Sequence, residues 1–327
     1  MPQAGQHPVS SSVPAHFGEK RYYPWNRQLQ EHFGRKVMKI TLDGGFDCPN
    51  RDGTVAYGGC TFCSQRGSGD FAGKRGDDLV DQFYDRKSVM EQKWSGGACM
   101  AYFQAFTNTH APLDELKEKY EAVLKLPETK ALSIATRPDC LPDDVVEYLA
   151  ELNERTYLWV ELGLQSAFDE TGERINRAHD FACFQEGVRK LRKHGIRVCV
   201  HLINGLPGET HEMMVRSAEA VSALDIQGMK IHLLHLLKKT PMVKQFEQGE
   251  VQLLGQEAYI QIVCDQLERI RSSISIHRLT GDGPAELLIG PMWSSHKWAA
   301  LNGIDAELRT RQTWQGIYAK PLQEGRS

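Results

Sequence analysis

No run of about 18 apolar residues occurs anywhere in the 327-residue chain, so no membrane-spanning helix is expected. An apolar segment of signal-peptide type is also missing at the start. Residues 1–20 instead carry Ser10, Ser11 and Ser12 with scattered Pro and Gly, and read as a flexible lead-in. The expected compartment is therefore the cytoplasm, where eight cysteines would be reduced thiols or metal ligands rather than a disulfide framework. Charge of one sign is lacking too. With 39 Lys and Arg against 42 Asp and Glu, the net charge is −3, and bulk charge points to neither nucleic acid nor membrane. No solenoid repeat, low-complexity block or Pro/Ser-rich linker interrupts residues 30–280, which read as one domain.

What the chain does contain is alternation. Short apolar runs at 37–42, 99–104, 131–135, 157–162, 196–203 and 229–234 are separated by helix-length amphipathic stretches. In 181–194, Phe184, Val188 and Leu191 fall on one face and Gly195 supplies a left-handed stop. A further strand is expected at 274–279 and a short helical tail after it. Six strand-then-helix units predict an α/β fold with a parallel sheet and right-handed crossovers. A closed eight-unit barrel needs more repeats than these. A partial (β/α)6 TIM-type barrel fits, with a doubly wound open sheet as the alternative. The expected division is residues 21–280 as the core barrel and 281–327 as a C-terminal extension packed on it.

Cys48, Cys60 and Cys63 follow the first strand, in a loop rich in glycine (Gly44, Gly45, Gly53, Gly58, Gly59). In a parallel barrel this is the end that carries reactive groups. Three cysteines, two of them C-x-x-C, suit a metal centre. A four-iron cluster on three thiolates keeps one iron free to bind a reactant. Zinc remains an alternative, although Cys99 and Cys140 have no C-x-x-C partner and the first downstream histidine is His110. A thioredoxin-type pair is another, although it has no third cysteine. Cys99 and Cys199 read as small buried residues. Cys140, at the end of the third strand, is a candidate to face the cavity. No second cysteine group has cluster spacing, so one cluster is expected.

Several segments together resemble the radical S-adenosylmethionine (SAM) superfamily over about residues 20–315. They are Lys39–Asp43, Tyr102–Thr109, Ala135–Asp139, Val160–Ser166, Ile175–His179 and His201–Thr210. The chain looks most like the bacterial YhcC-like group, related to the catalytic subunit of Elongator. The eleven-residue gap between Cys48 and Cys60 departs from the common C-x3-C-x2-C spacing but is similar to that of this group. The usual Gly-Gly-Glu motif after the second strand is replaced by Gln104–Thr109.

The resemblance implies that Cys48, Cys60 and Cys63 ligate a 4Fe-4S cluster whose open iron chelates SAM, and that a reductant such as flavodoxin or ferredoxin drives SAM cleavage to a 5′-deoxyadenosyl radical. It implies SAM contacts from Gln165 and Arg177, the latter to the SAM carboxylate, and places adenosine near Asn204 and Gly205. Gln104, Thr107 and Asn108 are further candidates for SAM's polar groups. Arg177 has a plainer alternative, pairing with Asp169 or Glu173 at a helix surface. Glu161, facing the interior, needs a partner such as Arg137. His201, His232 and His235 read as core or rim histidines before catalysts.

The resemblance also implies tRNA, at the wobble uridine side chain, as substrate. The tail offers Arg278, Lys297, Arg309 and Arg311 with Trp293, Trp298 and Trp314, which either contact RNA or pack over the barrel. The alternatives are a radical SAM enzyme acting on a small metabolite or protein, and a non-catalytic zinc or iron–sulfur binding protein. The sequence leaves the oligomeric state open.

Overall fold

A computed structural model describes residues 12–322 apart from 93 and 95. The six strand-and-helix units are all present: β1 Val37–Leu42, α2 Leu79–Glu91, β2 Ala98–Phe103, α3 Leu113–Leu124, β3 Thr129–Thr136, α4 Asp143–Arg155, β4 Tyr157–Gln165, α5 Asp169–Arg174, α6 Phe181–Lys193, β5 Arg197–Asn204, α7 His211–Ser222 and β6 Gly228–Leu233. After β6 come β7 Leu236–Leu237, α8 Met242–Glu247, α9 Gln256–Arg269, β8 Ser275–Arg278, β9 Leu288–Gly290 and α10 Lys297–Thr310. An additional helix, α1 Trp25–Phe33, precedes β1 and was not expected from the sequence. Of the lead-in, residues 1–11 lie outside the described residues. The part that is described forms a short turn at Ala15–Phe17 whose Phe17 is buried.

Asp78, Asp180 and Thr210 sit one residue before α2, α6 and α7, and each side chain accepts a backbone N–H of the first turn. Phe184, Val188 and Leu191 form the buried face of α6, and Gly195 follows it at φ +66°. Every strand pair of the main sheet is parallel, in the order β1-β2-β3-β4-β5-β6-β8. The strand at Ser275–Arg278 thus extends the six-strand sheet to seven by pairing with β6.

The sheet curls into a half-barrel, and one carboxylate shows it. Lys39 of β1 and Lys230 of β6 both pair with Glu161 of β4. In a flat sheet with strands about 4.8 Å apart, β1 and β6 would stand five strand spacings from one another. Alternation does the rest. Along β1, Met38, Ile40 and Leu42 are buried in the helix-facing core, while Lys39 and Thr41 line the interior cavity. At the N-terminal ends of the strands, α1 closes the barrel. Its Trp25 stacks on His277 with ring centroids 4.1 Å apart and meets Trp159 edge-on at 6.2 Å. The opposite end, where the cysteine loop lies, stays open.

Candidate active site

The loop after β1 is built around its own backbone. Cys48 O accepts the N–H groups of Arg51 and Asp52, and Cys60 O accepts that of Cys63. Asn50 Nδ2 donates to Asn176 O and approaches Cys60 Sγ at 3.7 Å. Asn176 in turn donates to Tyr57 O and Gly59 O, which ties the cysteine loop to the turn after α5. Arg51 holds Ser64 O at 2.6 Å and packs on the Phe106 ring. Cys48, Cys60 and Cys63 all line one cavity of about 480 Å³, a size typical of small-molecule sites.

The donor set fits a multi-iron cluster. Burial, then the charge of Cys63, pushes the Cys60 thiol up to about 12, and burial likewise raises Cys63 against the pull of Arg51. The Cys60 and Cys63 thiols, raised in this way, need a cationic inorganic partner in order to deprotonate. Among the described residues no three His, Cys, Asp or Glu side chains gather closely enough to hold a single metal ion.

Four further residues singled out from the sequence fall in two groups. Gln104, Thr107 and Gln165 line the cavity with the cysteines. Gln104 donates to Ser68 O at 2.7 Å. Gln165 ends β4 at φ +66°, a conformation a glutamine adopts only under constraint. Its amide folds back over Gly163, where a Cβ would lie 2.7 Å from Nε2. The constraint is Arg177. This arginine is buried and does not line the cavity. It donates to Leu164 O (2.8 Å), Ser166 O (2.6 Å) and His179 O (2.7 Å), and pairs with Asp169 at 3.0 Å. Arg177 therefore clamps the backbone on both sides of Gln165, and it makes the expected pair with Asp169, its own guanidinium buried and the Asp169 carboxylate half exposed at the start of α5.

Asn108, Asn204 and Gly205 also stand outside the cavity lining. Asn108 is buried and donates to Ala135 O. Asn204 makes a reciprocal amide pair with Gln266 of α9, at 2.9 and 2.8 Å. Gly205, at φ +93°, packs under Leu254. Cys140 lines a separate outer cleft with Cys183, His110 and Pro138 and does not face the barrel interior.

The floor of the cavity centres on Glu161, which faces the interior as expected but with partners the sequence does not reveal. Glu161 gathers one side chain from each of the other five strands β1–β6. Lys39 Nζ and Ser133 Oγ each lie 2.7 Å from Oε1; the Tyr102 hydroxyl and His201 Nε2 lie 2.8 Å from Oε2, and Lys230 joins them there. Arg137, the expected partner, instead holds Asp139 and Arg177 O. Burial alone would raise the Glu161 carboxyl, but Lys230, Lys39 and His201 hold it well below the usual carboxylate range. Burial pushes Lys39 down to about 7 against the pull of Glu161, and His201 down to about 4. A lysine in mid-strand, as at Lys39 and Lys230, was the available signal.

The tail residues divide as well. Arg311 is tied to Asp265, Glu268 and Glu307, and Trp293 donates to Leu254 O. Trp298 is 69% exposed, and Arg278 lines the cavity.

A curled parallel sheet with three cysteines on the loop after its first strand is the frame of a cluster-bearing radical enzyme. Residues 50–221 match the Radical SAM superfamily and residues 226–310 match the Radical_SAM C-terminal domain. The chain belongs to the radical SAM superfamily, which implies a 4Fe-4S cluster and SAM. Within it, the chain is 64% identical over 306 residues to the uncharacterized protein YtqA of Bacillus subtilis, covering 94% of this chain and 95% of the relative. It is 36% identical over 294 residues to protein YhcC of Escherichia coli, covering 90% and 94%. A tRNA uridine(34) acetyltransferase of Methanocaldococcus jannaschii is 24% identical over 59% of this chain and 37% of its own length. The fold is similar to that of Methanocaldococcus infernus Elp3, with TM-score 0.63 at 15% identity, covering 85% of this chain and 64% of that one. Among the described residues, no helix is long and apolar enough to cross a membrane.

Proposed function

We propose that the chain is a radical SAM enzyme that modifies the wobble uridine of tRNA, with Cys48, Cys60 and Cys63 as the cluster ligands. The observation that carries the catalytic part is the convergence of these three thiols with Gln104, Thr107 and Gln165 on one cavity. When bound, the cluster and SAM supply a 5′-deoxyadenosyl radical. Gln104, Thr107 and Gln165 then offer amide and hydroxyl groups for SAM's polar atoms. Arg177 fixes Gln165 from behind, as a positioning residue. Asn204, the last residue of β5, supports the site through Gln266 of α9, and Gly205 packs under Leu254. The packed rings of Trp25, Trp159 and His277 close the far end of the barrel to water.

The tRNA part rests on likeness to the tRNA uridine(34) acetyltransferase and on the exposed Trp298 beside Lys297. Comparing tRNA nucleosides from a deletion strain and its parent tests it. A nucleoside missing from the deletion strain and restored by the gene supports the assignment. An unchanged profile contradicts it.

A further inference from the structure

The wall of the cavity formed by β6 and β8 carries charge that the site described above does not use. Lys230 of β6 and Arg278 of β8 are register partners on adjacent strands, and both line the cavity. Lys39 and Lys230 share one carboxylate, Glu161, so this side has two ammonium groups for a single acid. The Arg278 side chain makes no ion pair or hydrogen bond among the described residues. The acid of the adjoining loop, Asp282, is taken by Lys297 at 2.9 Å. Two imidazoles complete the wall. The Nε2 atoms of His232 and His235 are buried without a hydrogen-bond partner. His235 is held between Gly281 and Gly283, where added Cβ atoms would lie 2.9 and 3.1 Å from its ring. SAM does not answer this excess, because its sulfonium and ammonium outweigh its carboxylate.

We propose that the β6–β8 wall binds the anionic group, a carboxylate or a phosphate, of a second substrate that shares the cavity with SAM, with Arg278 and Lys230 as its cationic contacts. A guanidinium at the rim forks onto two oxygens of such a group. Lys230, anchored by Glu161, meets the same group from below. The inference rests on the cavity being the radical site.

The test is isothermal titration of the anaerobic, cluster-loaded protein containing SAM, with inorganic phosphate in one arm and malonate in the other. At least one anion binds, and Arg278→Gln weakens it by about tenfold or more, the loss expected for one charge-assisted contact. Tighter phosphate binding assigns the group to a nucleotide; tighter malonate binding assigns it to a carboxylate cosubstrate. No heat with either anion, or equal affinity in Arg278→Gln, overturns the proposal. Because the Arg278 side chain is exposed and makes no hydrogen bond or ion pair among the described residues, the variant is expected to fold, which its melting curve checks. Formation of 5′-deoxyadenosine by the unmodified protein is measured in the same preparation. Its absence removes the radical-enzyme reading, whereas anion binding is read from heat and needs no turnover.

Discussion

The two walls of the cavity are built in opposite ways. The cysteine wall comes from one stretch of chain, 48–63, stitched by local backbone hydrogen bonds and held by Asn50, Arg51 and Asn176. The floor comes from six strands that meet at Glu161, with partners up to 122 positions away in sequence. The first wall is loop, glycine and strained backbone: Ser68, Phe106, Gln165, Asn176 and Ala178 all have positive φ around it. The second is rigid sheet. The cavity thus has a rim of loop and strained backbone over an ionic base built on sheet.

Substitutions that remove one wall and spare the other break this comparison most sharply. Cys60→Ala has the largest expected effect: loss of 5′-deoxyadenosine formation and of bound iron, with the melting temperature nearly unchanged. Iron assay and product chromatography check it, and full retention of iron would remove Cys60 from the ligand set. Glu161→Gln reverses the pattern. It leaves two buried ammonium groups without a counter-charge and costs about 3–5 kcal/mol, read by urea unfolding.

The pH dependence follows from the same group. Its folded pKa is depressed below the ordinary 4.5, so its stabilisation is complete above that value and is lost as pH falls toward the folded pKa. Unfolding midpoints measured on either side of pH 4.5 should fall on acidification, and by less in Glu161→Gln. Tyr102→Phe removes a single hydrogen bond to the carboxylate and costs about 1–2 kcal/mol, with cluster loading unaffected. The smallest effect on stability belongs to Gln165→Gly. Relief of the left-handed backbone offsets the added freedom of the unfolded chain, so stability moves by less than about 1 kcal/mol. SAM affinity falls nonetheless, and equilibrium dialysis with labelled SAM reads it; unchanged affinity would make Gln165 a bystander.

How much was legible in the sequence follows the same division. The cysteine wall announces itself through spacing, because its three cysteines lie within sixteen residues. The strands and helices show in periodicity, to within a few residues at their ends. The floor shows only in part: Glu161, Lys39 and Lys230 stand out as charges within strands, whereas Tyr102, Ser133 and His201 are unremarkable in theirs. Only the curl of the sheet brings them to one point. Arg137 looked like the partner of Glu161 because it follows a strand end on a neighbouring unit, yet Asp139, two residues on, takes it first. Arg177 could be matched by pattern, but its place behind Gln165 depends on a turn whose shape no local spacing encodes. The helix at Trp25–Phe33 does not show in the sequence, because Trp25 and Leu29 lack a long apolar repeat. Their partners, Trp159 and His277, lie across the barrel.

The central claim is that the local wall holds a cluster that cleaves SAM. Anaerobic reconstitution with iron and sulfide, followed by dithionite and SAM, tests it most directly. The account predicts about four irons per chain, broad absorbance near ~400 nm and 5′-deoxyadenosine as product. One tightly held zinc, with no 5′-deoxyadenosine formed, would contradict it.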